Sequence, residues 1–520
     1  MQGAVVSARR SVLLLGLDAA DADIVDALMA AGRLPTLSRL REQGLWGPLD
    51  SPAGLYAGGV WPTFYTGRAI ASHGLYHDKL WRAERMRVEV ASPDWLPVRP
   101  FWEALPDLRV CIVDVPMVLG PPRPVNGQYL AGWGTHDRVG RGSWPQHLWR
   151  WCERRHGRPV MPPEHFGRQT PRSLGTLPRA LVDATRQLGA VAADLLRRDD
   201  WDLACIVFGA THRAGHYLWD RAGAGPGRGL VDVYEAVDDA VASVLACAGD
   251  DTLVVAFALH GMDANPGWSD LLPAILTRLA QQRWGTSPRS GLLYRARRAV
   301  PFHWARPLLK RLPDRARHAL VRVWSRRMFD WKTTRFFPLP MDHAGYLRIN
   351  LRGREAAGVV EPGAEYDALC AELSELLSSL RDADTGEPIV RDVVRAWADA
   401  PDGAPGRALL PDLVVRWAGP TAGATRKLAS TMLPGFSYDV PPDLPSGRSG
   451  NHTDRAWFIA RGPGVPAGGR AAGEHHIVDL VPTALHHLGV PAPPEFEGTA
   501  IDLTHAAPDA AVSRGRGALR

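Results

Sequence analysis

The chain has 520 residues, 45% of them hydrophobic, enough to bury a large core as one extended domain or as two. Its formal charge of +6 is unevenly placed, and no zinc-finger spacing or other nucleic-acid motif accompanies it, so no specific nucleic-acid partner is expected. The five cysteines are scattered with no CxxC pair, which argues against a thiolate metal site and for a reducing compartment, and we expect a cytoplasmic protein.

In chain order, the first apolar run is Val12 to Leu17, which stops at Asp18. Six residues are too few for a signal-peptide core or a membrane span, so the run reads as a strand. A helical pattern covers 21–43 with a break at Pro35, which leaves Asp18 in a strand-to-helix connection. Another strand is expected at 109–116. The Trp- and Pro-rich stretch 119–168 has too few regular periods for a plain βαβ unit and reads as a cap or loop excursion. Helix 171–198 then leads to strand 203–208, and helix 230–248 leads to strand 252–258. Helix 269–283 follows. This alternation marks a mostly parallel sheet covered on both faces.

From Arg289 to Arg327 there are twelve Arg or Lys residues and a single acid, Asp314, with apolar residues interleaved. A basic helical insertion near 286–330 is expected, its charges forming a solvated face. A weak membrane-surface or protein contact through 289–327 is the alternative. Short strands at 345–351, 412–417 and 456–462 and helices at 365–379 and 476–489 complete the chain. No GxxxxGK[ST] loop occurs, which argues against a P-loop ATPase.

Four segments place a charged or imidazole group at the end of an apolar strand: VLLLGLDAAD with Asp18, LACIVFGATHRAGH with His212 and His216, LVVAFALHGMD with His260, and GRSGNHTDRAWFIARGPG with His452. Open α/β sheets bind ligands at the carboxyl ends of their strands, so these groups can meet. If 212–216 is helical, its i,i+4 spacing puts both imidazoles on one face. Three imidazoles, from His212, His216 and His452, suit zinc or another borderline metal. Taken singly, each histidine reads better as a surface or hydrogen-bonded residue, and it is the shared strand-end placement that favours ligation. For Asp18 the alternative to a site role is a helix cap, and for His260 a core side chain. Asp263 is a candidate replacement carboxylate or a turn former, and His136 and Asp137 are candidates to reach a substrate from the Trp-rich excursion.

The order of the segments resembles the alkaline phosphatase superfamily, in its type I phosphodiesterase and nucleotide pyrophosphatase branch. The resemblance is carried by VLLLGLDAAD, by GGVWPTFYTGRAIASHGLYH at 58–77, by RVCIVDVPMVLGPPRPVNGQYLAG within 101–132, by TTRFFPLPMDHAGYLRINLRGREAAGVVEPG at 333–363, and by VDLVPTALHHLGVPAPPEFEG at 478–498. It implies an alkaline-phosphatase-like α/β/α sandwich over 11–502, with a central mixed, mostly parallel sheet and the two insertions, and flexible termini at 1–10 and 505–520. The family has seven site groups holding two metals. Matched position by position, Asp18, His216, His260 and His452 are retained, a carboxylate is exchanged for His212, and the nucleophile and another carboxylate are replaced by Ala57 and Leu259. The resemblance therefore implies an atypical metal-dependent hydrolase or transferase for a phosphodiester, phosphomonoester or related small anionic ester, working by metal-activated water. One firmly held divalent ion, zinc before others, is expected rather than two. Asp18 and His260 are expected as acid/base groups or as ligands of a weaker second cation. The alternative is a catalytically silent family member that binds a ligand or partner.

Overall fold

In the computed structural model the described residues are 10–135, 140–162, 169–219, 226–285, 314–339, 344–396, 403–419, 421–442 and 444–507. The apolar run at Ser11–Leu17 is the middle strand of a nine-stranded sheet. From one edge the strand order is Gly469–Arg470, Leu45–Leu49, Ala456–Arg461, Thr252–Ala258, Ser11–Leu17, Leu203–Phe208, Val110–Val113, Gly127–Ala131 and Gly142–Trp144. The five strands from Thr252–Ala258 to Gly127–Ala131 run parallel. Ala456–Arg461 enters antiparallel between Thr252–Ala258 and Leu45–Leu49. The sheet is therefore mixed and mostly parallel, with helices on both faces.

The middle strands are uniformly apolar because neither face meets water. Val12 and Leu14 point into one core, shared with Trp61, Phe64 and Phe257. Leu13, Leu15 and Leu17 point into the other, beneath helices Pro171–Arg198 and Arg228–Leu245. The expected break at Pro35 is present: Ala22–Ala30 and Pro35–Glu42 are separate helices, with the proline at the start of the second, where no backbone N–H is needed. A four-stranded antiparallel sheet packs on helices Trp268–Trp284 and Ala364–Ser378 around a third core.

The stretch 119–168 is more regular than its composition suggests. Gly127–Ala131 and Gly142–Trp144 extend the main sheet, and His147–His156 is a helix. Strands of five and three residues flanked by Pro and Gly are too short to show a period in sequence. Of the basic insertion, 286–313 lies outside the described residues, while Asp314–Arg326 is a helix. Most of the terminal stretches 1–10 and 505–520 also lies outside the described residues. Among the described residues no helix is long and apolar enough to cross a membrane.

At the end of Val110–Val113 the chain turns through Asp114, whose φ of 60° is one that Asp tolerates better than most residues. Its carboxylate accepts the backbone N–H groups of Trp133 and Gly134, each at 2.7 Å, and so anchors the next loop. Burial pushes the Asp114 carboxyl up from 3.8 to about 6, and these N–H groups offset only part of that rise. Because the folded value lies above the unfolded one, protonation favours the folded state. Stability from this residue is fully present below about pH 4 and is lost as pH rises to about 6. The loss is on the order of 3 kcal/mol. Denaturant melts of the wild type and Asp114→Asn across this range are expected to show a flatter pH slope for the variant. Equal slopes would remove Asp114 as the cause.

Candidate metal centre

Asp18 follows the middle strand directly, and its N–H bonds the Phe208 carbonyl at 3.0 Å. The helix that follows is capped by Asp21, whose side chain accepts from Asp23 N, so capping does not explain Asp18. The Asp18 side chain is buried. Leu203–Phe208 leads through Gly209 into helix Ala210–Tyr217, which carries His212 and His216 one turn apart. His260 lies just past Thr252–Ala258. His452 comes from the strand Gly450–Thr453, which pairs antiparallel with Gly261–Ala264 and sets His452 opposite Met262.

Glycine permits this convergence. A Cβ on Gly450 would fall 1.9 Å from the Gly215 carbonyl oxygen and 2.1 Å from the Trp219 ring, so only glycine lets the His452 strand approach the His212 helix.

The five groups form one cluster. His212 Nδ1 lies 2.7 Å from Asp18 Oδ2, and His260 Nε2 lies 3.3 Å from Asp18 Oδ1. His216 Nδ1 is 3.2 Å from the Gly450 carbonyl, and His452 Nδ1 is 3.3 Å from His260 Nδ1. The Nε2 atoms of His212 and His216 face each other at 3.0 Å. One potential ligand atom from each of His212, His216 and His452 lies within 4.8 Å of the other two.

These partners fix the tautomers. The proton of His212 belongs on Nδ1, toward the carboxylate, and that of His216 on Nδ1, toward the carbonyl. Both Nε2 atoms are then lone pairs pointing at each other, an arrangement that a shared proton or a cation stabilises. His260 Nε2 faces Asp18, and its Nδ1 lies 3.3 Å from both the Gly261 carbonyl and His452 Nδ1, so the ring is held on both sides. Three neutral imidazoles with outer nitrogens held by a carboxylate, a carbonyl and another imidazole are the donor set of a zinc-type site. The residues fit a divalent cation.

Asp18 is the electrostatic anchor. Burial alone would raise its carboxyl, but His212, by the charge it carries when protonated and by its hydrogen bond, together with His260, outweighs burial and holds it well below the usual carboxylate range. Trp61 Nε1 adds a third donor to the carboxylate at 2.8 Å, and Thr211 Oγ1 donates to the Asp18 carbonyl at 2.6 Å.

The other expected residues do not join. Asp263 is half exposed and pairs with Arg455 at 3.2 Å, away from the imidazoles. His136 and Asp137 lie outside the described residues. Ala57 is a buried methyl-bearing residue just before helix Val60–Thr66, and Leu259 is fully buried in the aromatic-rich core. The sequence reading misses Trp61, one of nineteen tryptophans with nothing local to single it out. It also misses Arg455, whose Nε reaches Asp21 Oδ2 at 2.9 Å. The same Asp21 oxygen accepts Met262 N at 3.1 Å, so this pair ties the Asp18, His260 and His452 segments together.

The family described as Type I phosphodiesterase / nucleotide pyrophosphatase matches residues 12–431. The chain belongs to this family. The matched stretch of this type I phosphodiesterase family contains Asp18, His212, His216 and His260, whereas His452 lies beyond it and joins through the geometry above. A comparison with curated protein sequences finds no match. Among solved structures, wild-type alkaline phosphatase PafA is 13% identical, with 94% of this chain and 98% of that one covered at a TM-score of 0.52. The fold is thus alkaline-phosphatase-like. Phosphonoacetate hydrolase from Sinorhizobium meliloti 1021, in complex with phosphonoformate, is 14% identical over 93% of this chain and 96% of that one, with a TM-score of 0.46. Human ectonucleotide pyrophosphatase / phosphodiesterase 5 is 10% identical over the same shares, with a TM-score of 0.49.

Proposed function

We propose that this type I phosphodiesterase family member is an atypical hydrolase or transferase for a phosphodiester, phosphomonoester or related small anionic ester, dependent on one divalent cation. His212, His216 and His452 would hold that cation, with zinc the best match to three imidazoles. The observation that carries the reading is the pair of Nε2 atoms facing each other at 3.0 Å, with His452 beside them. A cation held there would supply Lewis acidity toward a phosphoryl oxygen or water. Ala57 has no oxygen with which to form a covalent intermediate, so water is the attacking species. Asp18, ionised and committed to three donors, orients His212 and His260 rather than moving a proton. His260 is the acid/base candidate: Asp18 holds Nε2, and Nδ1 would have to release His452 to exchange a proton with substrate. Leu259 offers a cation no ligand and excludes water from its surroundings, which favours one ion over two. The five unpaired cysteines support a reducing, cytoplasmic location.

The test is metal analysis of purified protein beside a panel of phosphodiesters, phosphomonoesters and sulfate esters. One bound ion per chain and turnover that a chelator removes are expected. A folded, metal-free protein with no turnover, even after zinc is added, would instead favour the silent binding protein that Ala57 and Leu259 also allow.

A further inference from the structure

We propose that the outer face of helix Asp314–Arg326 docks on an anionic lipid surface. The helix lies against the strand Arg87–Val90, where Ser325 Oγ accepts Val88 N at 2.9 Å and Met328, just past the helix, is buried. Leu320 and Val323 face away from this contact, with 50% and 54% of their surface exposed. Only one other large apolar side chain among the described residues, Met432, is comparably exposed. Residues three apart on a helix are neighbours, so Leu320 and Val323 form one patch rather than two scattered exposures.

The charge at the C-terminal end of the helix, beside the patch, is basic. Arg326 and Arg327 are exposed and Arg322 is half-buried, and among the described residues none of the three pairs with a carboxylate. In sequence, the 25 residues 289–313 hold seven Arg or Lys and no acid, though they lie outside the described residues. An apolar pair inside a field of arginines matches the interface of an anionic membrane, where side chains such as Leu enter the acyl boundary and guanidinium groups meet headgroup phosphates. A nucleic acid would use the charge and leave Leu320 and Val323 in water, so it fits less of the surface. The contact lies apart from the histidine cluster and does not depend on the proposed reaction.

The experiment is co-sedimentation of the full chain with vesicles of phosphatidylcholine, with and without phosphatidylserine. Binding is expected only with phosphatidylserine and is expected to weaken as salt is raised. Leu320→Asn/Val323→Asn should lower the partition coefficient at least about tenfold. Arg322→Gln/Arg326→Gln/Arg327→Gln should lower it on the order of fivefold per arginine. Both variants should keep the melting temperature and metal content of the wild type, since the changed side chains lie outside the core. The proposal is overturned if wild-type protein ignores phosphatidylserine vesicles. It is also overturned if the Leu320/Val323 variant binds them undiminished, or if heparin captures the protein and that variant equally while vesicles capture neither.

Discussion

Replacing His216 with alanine should empty the proposed metal centre and abolish turnover while the protein stays folded. His216 supplies one of three imidazoles, and two histidines leave a borderline metal short of its ligand set. Affinity should fall by more than about 100-fold, beyond the loss typical of an outer hydrogen-bond partner. The contrasting variant is His260→Ala. There the three ligands remain and only the group that orients His452 is lost, so metal affinity should fall about 10–100-fold while turnover falls further. Metal titration of both proteins, with kcat measured at saturating zinc, separates the two roles. Equal metal loss in both would place His260 among the ligands, and full retention in His216→Ala would refute the three-histidine centre.

Leu259→Asp is the second change with a large effect. It restores the carboxylate that the family resemblance implies for this position, yet Leu259 has 0% of its surface exposed and belongs to the core that holds Phe257 and Trp61. A carboxylate there is desolvated and has no partner cation, so we expect a loss of about 3–5 kcal/mol in denaturant unfolding. Adding Ala57→Thr should recover neither stability nor a covalent intermediate. The outcome that would sink the single-cation reading is a doubly substituted protein that unfolds at the wild-type midpoint and holds two metal ions per chain.

Much of the site is legible in sequence because strand ends are. Asp18, His212 and His260 each terminate or follow an apolar run, and the fold sends such ends to one edge of the sheet. His216 follows from helical spacing alone. His452 is recognisable by its place before an apolar strand and by family order. Trp61 and Arg455 are not legible, since each acts on a carboxylate through a contact that only the folded chain creates. Trp61 is 43 positions from Asp18, and Arg455 is 434 positions from Asp21. Asp263 shows the converse error. Its place three residues after His260 suggests a ligand, but on a strand the direction of each side chain alternates, and Asp263 turns out to meet Arg455. The short strands at Gly127–Ala131 and Gly142–Trp144 escaped for a different reason, because their pairing partners rather than their own pattern make them strands.

The inserted strand Ala456–Arg461 has a consequence for how the protein is made. Its two neighbours, Leu45–Leu49 and Thr252–Ala258, leave the ribosome long before it does. Until it arrives, both present bare backbone edges that are apt to pair with another chain. The same late segment delivers His452, so a nascent chain lacks the third imidazole until nearly nine-tenths of it has been synthesised. On the three-histidine proposal, a chain halted before residue 450 should be both metal-free and prone to aggregate.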